Sequence, residues 1–281
     1  MKHLVIEKYA ACWSNAFYTM RCLRLLGLTG LAALSAHAED MVDGSAIVTS
    51  SSGSVSAINA NGDHISIDAH DVILPAGVHL STGKKGQIFL TLSNGVALGL
   101  DEESILVCAA YTQRSFDKEE QRQRLEPTVS NLSLQLEKGQ LAMASNQLSP
   151  LSEIRVDLPF GQVRLIRGSC LIRYDAAGLL ITALEGTLTY YYPGGDARDY
   201  ITTPKSLRIS KQSAERHLPV ESSTIDSLAL EGVRLSQATQ HASRRVIFEP
   251  NKTTGQAPVP VLIVRPEYFE QPSMRPYTFK D

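Results

Sequence analysis

Apolar and polar residues alternate along most of the chain, and turn residues interrupt the alternation at short intervals, from Gly44 to about residue 210. Apolar residues occupy every second position from Ile88 to Leu92 and again from Val96 to Leu100, and Asn94-Gly95 lies between these two runs. Asn-Gly between two alternating runs is the strongest local signal for a tight hairpin turn. The pattern therefore predicts two antiparallel strands with one buried face each.

The same pattern recurs in several further runs, which are Leu132–Leu136, Leu141–Met143, Ile154–Leu158, Val163–Ile166, Cys170–Tyr174, Leu179–Leu184 and Thr187–Tyr192. Strands of about four to seven residues with turns every ~8–12 residues are typical of all-β sandwiches, barrels or solenoids and not of βαβ units. We therefore predict an all-β fold of short strands.

Two segments break the alternation. Residues Asp117 to Glu126 are almost wholly polar, which predicts a solvated loop or a short surface helix. Residues Ser222 to Arg245 predict a C-terminal helix, because capping serines precede an apolar stripe at helical spacing, made of Ile225, Leu228, Leu235, Ala238 and Ala242. Gly232 weakens this helix by about 1 kcal/mol relative to Ala.

The C-terminal end contains one more apolar run, Val261–Val264, and then a segment rich in proline and aromatic residues. Proline excludes a helix from Pro266 onward, so we expect an extended tail. Its aromatic residues are candidates for partner binding, since lone aromatics in an extended chain bury little surface without a partner; they are Tyr268, Phe269, Tyr277 and Phe279. The alternative is that strand and tail cap their own sheet.

The N-terminal segment Met20–Ala38 has the features of an export signal. Arg21 and Arg24 precede an apolar run that is too short to span a bilayer, and Ala36-His37-Ala38 fits a cleavage site before Glu39. A buried core helix is the alternative interpretation. We expect translation to start at Met20, cleavage after residue 38, and a periplasmic or secreted protein without a transmembrane segment in the mature chain.

The positive and negative charges of the chain are almost balanced. The 281 residues include 27 Lys+Arg and 29 Asp+Glu, so the formal net charge is −2. That balance argues against a protein that binds nucleic acid through its phosphates.

Export would place Cys108 and Cys170 in an oxidising compartment, where a disulfide is allowed. Both cysteines lie in apolar strand-like runs, however, so two buried free thiols are an equally good interpretation.

Evidence for catalytic or metal chemistry is thin. Ser81 and Lys84 fit an S-x-x-K pattern, but the companion motifs of serine acyltransferases do not occur. His64, Ser66, Asp68 and His70 would share one face of a strand, and Asp68 with His70 is a weak candidate for a metal site. A solvated polar face is the alternative. No motif for a phosphate loop, a zinc site or a nucleophile elbow occurs, so the sequence predicts no catalytic residue and no cofactor.

Glycines stand where the predicted strands end, at positions that favour a tight bend or a positive φ; they are Gly83, Gly95, Gly139, Gly168 and Gly186. We interpret them as structural, because glycine offers no side-chain chemistry. Four blocks around these glycines resemble the FecR domain of bacterial envelope proteins. They are residues 77–95, 136–141, 160–169 (FGQVRLIRGS) and 183–188.

The resemblance implies a twisted, solenoid-like or roll-like β domain over 39–215, after a signal peptide over 1–38 and before a C-terminal region over 216–281. It also implies a non-enzymatic binding or scaffold module of the cell envelope, whose partner is a protein or a glycan. A periplasmic regulatory component of sigma/anti-sigma signalling is the alternative. An enzyme acting on envelope polysaccharide is a second alternative, which would require clustered carboxylates.

Overall fold

A computed structural model describes residues 41–121, 126, 128–145, 148–194, 197–210, 212–213, 221–224, 227–244, 246–253 and 255–262, and these residues belong to one compact unit. The predicted signal peptide and the tail residues Tyr268, Phe269, Tyr277 and Phe279 lie outside the described residues. No helix in the described ranges is both long enough and apolar enough to span a bilayer.

The fold is mostly β, as predicted. In chain order the strands are β1 (Met41–Asp43), β2 (Ala46–Ser52), β3 (Val55–Ile58), β4 (His64–Ile65), β5 (Val72–Ile73), β6 (Val78–Thr82), β7 (Gln87–Leu92), β8 (Ala97–Leu100), β9 (Ile105–Arg114), β10 (Ser130–Ser145), β11 (Glu153–Leu158), β12 (Gly161–Asp175), β13 (Gly178–Tyr191), β14 (Arg198–Thr202), β15 (Lys205–Ile209), β16 (Glu221–Thr224), β17 (Val246–Glu249) and β18 (Val259–Leu262). The helices are α1 (Lys118–Gln121) and α2 (Ser227–Ser243).

The strands β10, β12 and β13 are much longer than the sequence predicts. Each contains a glycine near its middle, and each changes its neighbours at that point. The first half of β10 pairs with β9 and, in parallel, with β11, whereas its second half pairs with β8 and β12. The first half of β13 pairs with β15 and its second half with β14. One large sheet thus bends over a large apolar core that includes Leu98, Leu134, Ile172 and Leu188.

The bends come from glycines that we expected at strand ends. Gly139, Gly168 and Gly186 lie inside strands at φ of 94°, 107° and 79°. A peptide unit with positive φ in mid-strand redirects the chain without ending the hydrogen-bonded ladder. The prediction of an all-β fold is confirmed, but three pairs of the predicted short strands are joined into β10, β12 and β13, because a glycine bend and a glycine turn have the same sequence signature.

The Asn94-Gly95 hairpin is confirmed. β7 and β8 pair antiparallel with Leu90 opposite Leu98, and Gly95 in the turn has a φ of 84°. Gly83 is the exception among the predicted glycines, since its φ is not positive, and a Cβ there would lie 3.1 Å from Ser54 Cβ.

The C-terminal helix begins later than the sequence suggests. Residues 221–224 form β16, and the helix α2 begins at Ser227. The helix packs closely against the sheet at Gly232, and this is possible because glycine has no side chain. A Cβ at this position would lie 2.1 Å from Leu171 Cδ2. Leu235 and Thr239 are buried, but Ala238 of the predicted apolar stripe is exposed.

The last described strand, β18, pairs with β17 in a two-stranded sheet of their own. Phe248 of β17 is buried and packs with Ile47 and Phe116. The Oγ of Ser45 donates a hydrogen bond to the carbonyl oxygen of Pro258, at 2.5 Å. The apolar run near residue 261 thus belongs to a hairpin that is anchored to the β domain.

Candidate functional site

A groove of about 730 Å³ lies between the outer face of β12, β13 and β14 and the loop 148–152, which we call the wall loop. Arg164 and Arg167 of β12, Tyr191 of β13 and Tyr200 of β14 line the groove. It combines apolar and aromatic side chains with cationic and hydroxyl groups in one concave surface, and concave surfaces with a few convergent polar groups are typical of binding sites. We call it the arginine groove.

The groove depends on a bulge in β12. Val163 and Leu165 point into the core, and Arg164 between them faces outward. The pairing with β13 then shifts by one residue. Leu165 lies opposite Leu188 and Arg167 lies opposite Thr187, so Ile166 of β12 is an extra residue without a partner opposite it. A bulge of this kind re-aims the side chains next to it. Ile166 is 53% exposed as a result, and Arg167 is exposed beside it.

The bulge is held by two glycines that face each other. Gly168 pairs with Gly186, and both have positive φ. A Cβ on Gly168 would lie 1.9 Å from the carbonyl oxygen of Glu185, and a Cβ on Gly186 would lie 2.0 Å from that of Arg167. No side chain fits at either position, so the approach of the two strands that forms the groove floor requires glycine twice.

The two groove arginines differ in their surroundings. The Arg164 guanidinium lies 3.6 Å from Glu153 Oε1, and both side chains are more than one-third exposed, so this ion pair stabilises the fold little. Arg167 forms no ion pair with any residue that the structure describes. Arg198, outside the lining, lies 5.6 Å from the ring centroid of Tyr200. The described part of the groove therefore has an excess of positive charge.

A buried carboxylate holds the wall loop in place. Glu126 accepts hydrogen bonds from the Ser149 backbone N–H at 2.8 Å and from the Ser152 hydroxyl at 2.5 Å. The Ser130 hydroxyl of β10 also donates to this carboxylate. Glu126 is only 8% exposed, and burial raises its pKa above the ordinary value, although these three hydrogen bonds oppose the rise. Glu126 therefore fixes one wall of the groove to the sheet.

The buried network continues from Glu126 to the Asn-Gly hairpin. Asn94 Nδ2 donates to Ser130 Oγ at 3.0 Å, and the Asn94 backbone N–H donates to the Tyr111 hydroxyl at 2.8 Å. Tyr111 is fully buried. The turn that the sequence identified is thus connected through hydroxyl groups to the wall of the groove. The segment 117–126 contains the short helix α1, as the sequence predicts, but Glu126 is buried, because its carboxylate replaces water with three donors.

The predicted metal candidates do not share a strand face. The strand β4 contains only His64 and Ile65, and the chain then turns, because the Asp71 carboxylate accepts hydrogen bonds from the Ser66 hydroxyl at 2.6 Å and from the Asp68 N–H at 2.8 Å. His70 has a φ of 79° in this turn. Across the described ranges, no three His, Cys, Asp or Glu side chains lie together in a way that could hold a metal ion.

The structure also shows the surroundings of two other candidates from the sequence, the Ser81–Lys84 pattern and the two cysteines. Ser81 Oγ of the S-x-x-K pattern lies 2.7 Å from Ser56 Oγ on the neighbouring strand, while Lys84 is exposed in the following turn. Cys108 and Cys170 are both free and buried, and burial raises the pKa of each thiol to about 12. The structure thus corresponds to the free-thiol alternative.

The sequence did not identify the arginine groove. Arg164 and Arg167 lie in the block 160–169 that resembles the FecR signature, but Tyr191 and Tyr200 come from other strands. The local signal was the break in alternation at Leu165-Ile166, where two apolar residues follow each other. Such a break is typical of a bulge, but it does not say which strands complete the site.

Comparisons with known proteins are sparse. No protein-family model and no curated protein match the chain. Two solved crystal structures, both of a proposed anti-sigma factor from Parabacteroides distasonis ATCC 8503, are similar in part. One has a TM-score of 0.40 at 9% identity and covers 55% of this chain. The other has a TM-score of 0.39 at 8% identity and covers 56%. The match spans 62% and 64% of those two chains, less than two thirds of either.

Proposed function

We propose that the protein is an exported, FecR-like, non-enzymatic binding module of the bacterial cell envelope, and that it holds an acidic partner in the arginine groove. The observation that carries this proposal is the exposed Arg167, which has no ion-pair partner among the residues that the structure describes, next to exposed Ile166 and Tyr200 in one concave surface. Exposed apolar side chains lie here beside a cation. Association with an anionic partner that also has some apolar surface would therefore be favourable, because it removes apolar surface from water and neutralises the charge.

The lining also favours binding over catalysis. Among the described residues that line the groove, none is Asp, Glu, His or Cys. Most glycoside hydrolases use a pair of carboxylates across the cleft, and this lining does not supply them. Glu126 lies behind the wall loop, and its carboxylate is already occupied by donors from Ser130, Ser149 and Ser152.

The test is capture of envelope components by the full-length chain. We expect Arg164→Glu/Arg167→Glu to weaken capture by about tenfold or more, which corresponds to about 1.4 kcal/mol of binding free energy. The matched control, Lys84→Glu/Lys252→Glu, changes net charge equally at exposed positions outside the groove lining. Equal capture by the groove variant and the wild type, when both melt at the same temperature, would overturn the proposal.

Export is tested separately. The Arg-flanked apolar segment that ends in Ala36-His37-Ala38 predicts cleavage before Glu39. N-terminal sequencing of the protein recovered from a periplasmic extract is expected to begin at Glu39. A protein that begins at Met1 or Met20 would contradict the proposed processing.

The regulatory alternative, a periplasmic component of sigma/anti-sigma signalling, uses the same groove but predicts a different readout. Transcription of a sigma-dependent reporter would change in the Arg164→Glu/Arg167→Glu strain as it does in a deletion strain. A sigma-factor gene next to this one would also favour the alternative. Unchanged transcription in the deletion strain would exclude it and leave the binding module as the function.

A further inference from the structure

The chemistry of the arginine groove identifies one class of occupant, on the premise that the groove is the binding site proposed above. We infer that it binds an acidic glycan, a chain of sugars that carries carboxylate groups. Three features support this choice: the hydroxyl groups in the lining, the paired backbone of the floor, and the aromatic and cationic side chains at fixed positions.

Hydroxyl groups dominate the polar lining. Six lining side chains end in a hydroxyl, which are Ser149, Ser152, Thr187, Thr189, Tyr191 and Tyr200. The Ser152 hydroxyl already donates to Glu126 and accepts from the Ser130 N–H, and Thr189 is buried, so the other four are the ones that a ligand can reach. Thr187, Thr189 and Tyr191 are alternate residues of β13 and therefore point to the same face of the sheet. A hydroxyl both donates and accepts a hydrogen bond, so the accessible hydroxyls of Thr187, Tyr191 and Tyr200 match the hydroxyls of a sugar chain, which have the same dual character.

The floor offers no backbone partner to a peptide. The first half of β12 is paired on both sides, with β11 and β13, and the second half of β13 is paired with β12 and β14. An extended peptide in the groove would have to leave its own N–H and C=O groups without the ladder bonds that strand addition supplies. Among the described strands of the floor, only β14 has an edge without a paired neighbour, and that edge lies beside the floor. The floor therefore favours a ligand without a peptide backbone.

The remaining lining groups fit sugars that carry carboxylates. A guanidinium presents a planar fork of donors that matches a carboxylate in two-point contact, and Arg167 is available for this. Tyr200 is 60% exposed, so its ring offers an apolar face for the C–H groups of a sugar and a hydroxyl at its tip. Arg198 on the same strand, near this ring, adds a further positive charge.

The test measures binding of three probes to the full-length chain by calorimetry: an oligogalacturonate, a neutral maltodextrin of the same length, and an oligoglutamate of the same charge. We expect the oligogalacturonate to bind most tightly. We expect Arg164→Gln/Arg167→Gln to weaken it by about tenfold or more, and Tyr200→Ala to weaken it as well. Lys84→Gln/Lys252→Gln is the matched control and should bind as the wild type does.

Each contrary outcome has a distinct meaning. If oligoglutamate binds as tightly as oligogalacturonate, and Tyr200→Ala binds both as the wild type does, the occupant is an acidic peptide and the glycan inference is overturned. If maltodextrin binds equally well, the charge argument is overturned. If no probe binds while envelope capture still depends on Arg164 and Arg167, the glycan inference fails and the proposed function stands. If capture does not depend on them, the proposed function fails first.

Discussion

Replacing Gly168 with valine is expected to destabilise the protein strongly, although the glycine has no functional group. The residue lies in the middle of β12 at a φ of 107°, directly opposite Gly186 on β13. A non-glycine residue at this φ is strained by ~1–3 kcal/mol before any contact is considered. The contact is worse, because the new Cβ would lie 1.9 Å from the Glu185 carbonyl oxygen and 2.5 Å from its carbonyl carbon.

The size of the loss follows from these distances. Real Cβ atoms essentially never approach another heavy atom closer than 3.0 Å, so the contact must open by at least 3.0 − 1.9 = 1.1 Å. A shift of about 1 Å lengthens an N–H···O bond from ~2.9 Å beyond the range in which it is effective. Each ladder bond lost costs ~0.5–1.5 kcal/mol. Strain and one or two lost bonds together give about 1.5–6 kcal/mol, or a fall in Tm of roughly 3–24 °C at this size.

The matched control is Gly95→Val. Gly95 has a φ of 84°, but a Cβ there meets no atom within 4 Å. This variant carries the backbone strain without the collision, so we expect it to lose only ~1–3 kcal/mol. Thermal and urea unfolding of both variants, followed by circular dichroism, separates the two contributions. Equal stabilities of the two variants would refute the argument from the collision, and a Gly168→Val protein as stable as the wild type would refute it entirely.

Two further predictions concern buried titratable groups. Burial raises the pKa of Glu126 in the folded state, so its contribution to stability is fully present below the ordinary pKa of 4.5 and is lost as pH rises through the folded value. Urea midpoints across this range are expected to be less pH-dependent in Glu126→Gln than in the wild type, and an identical pH profile would contradict the assignment. Because burial raises the thiol pKa of Cys108 and Cys170 to about 12, neither should react with a thiol-alkylating reagent near neutral pH until the protein unfolds. Rapid alkylation of either cysteine in the native protein, located by peptide mass spectrometry, would show that the buried environment is wrong.

Local sequence signals predict the strands themselves well. The alternation from Ile88 to Leu100 around Asn94-Gly95 corresponds to a real hairpin, in which Leu90 lies opposite Leu98. Such a hairpin is determined by neighbouring residues, since side-chain alternation selects the buried face and the turn residues set the register. The assignment of an all-β fold needed nothing more than the repetition of these local units.

Local signals fail where a glycine bends a strand instead of ending it. Gly139, Gly168 and Gly186 have the positive φ that a turn would require, yet each stays within a paired strand. Whether a glycine bends a strand or ends it depends on the residue that packs against it. Gly168 lies opposite Gly186, and Gly139 packs against Ser104. Those partners are distant in sequence, so the pattern around one glycine cannot distinguish a bend from a turn.

The candidate site could not be predicted from the sequence for a related reason. The groove floor is formed by β12, β13 and β14, and the wall loop is fixed by Glu126 from a segment whose polar composition predicts solvation. Burial of that carboxylate depends on donors from Ser130, Ser149 and Ser152, which only the folded chain brings together. Composition describes the average environment of a segment, whereas this site depends on one exceptional residue within it.

The bend at Gly168 also exposes Arg167, so a substitution at Gly168 should affect both stability and binding. A comparable substitution outside the groove should affect stability alone, and this comparison separates the two effects. Gly139→Ala also introduces a collision at positive φ, 2.0 Å from Ser104 Oγ, but in β10 and outside the groove lining. Gly168→Ala moves the residues that present Arg167, because the strands must part at the bulge itself. If the groove binds a partner as proposed above, then at a temperature where both alanine variants remain folded we expect Gly139→Ala to bind it as the wild type does and Gly168→Ala to bind it more weakly. Equal binding by both would mean that the bulge holds the sheet together without shaping the site.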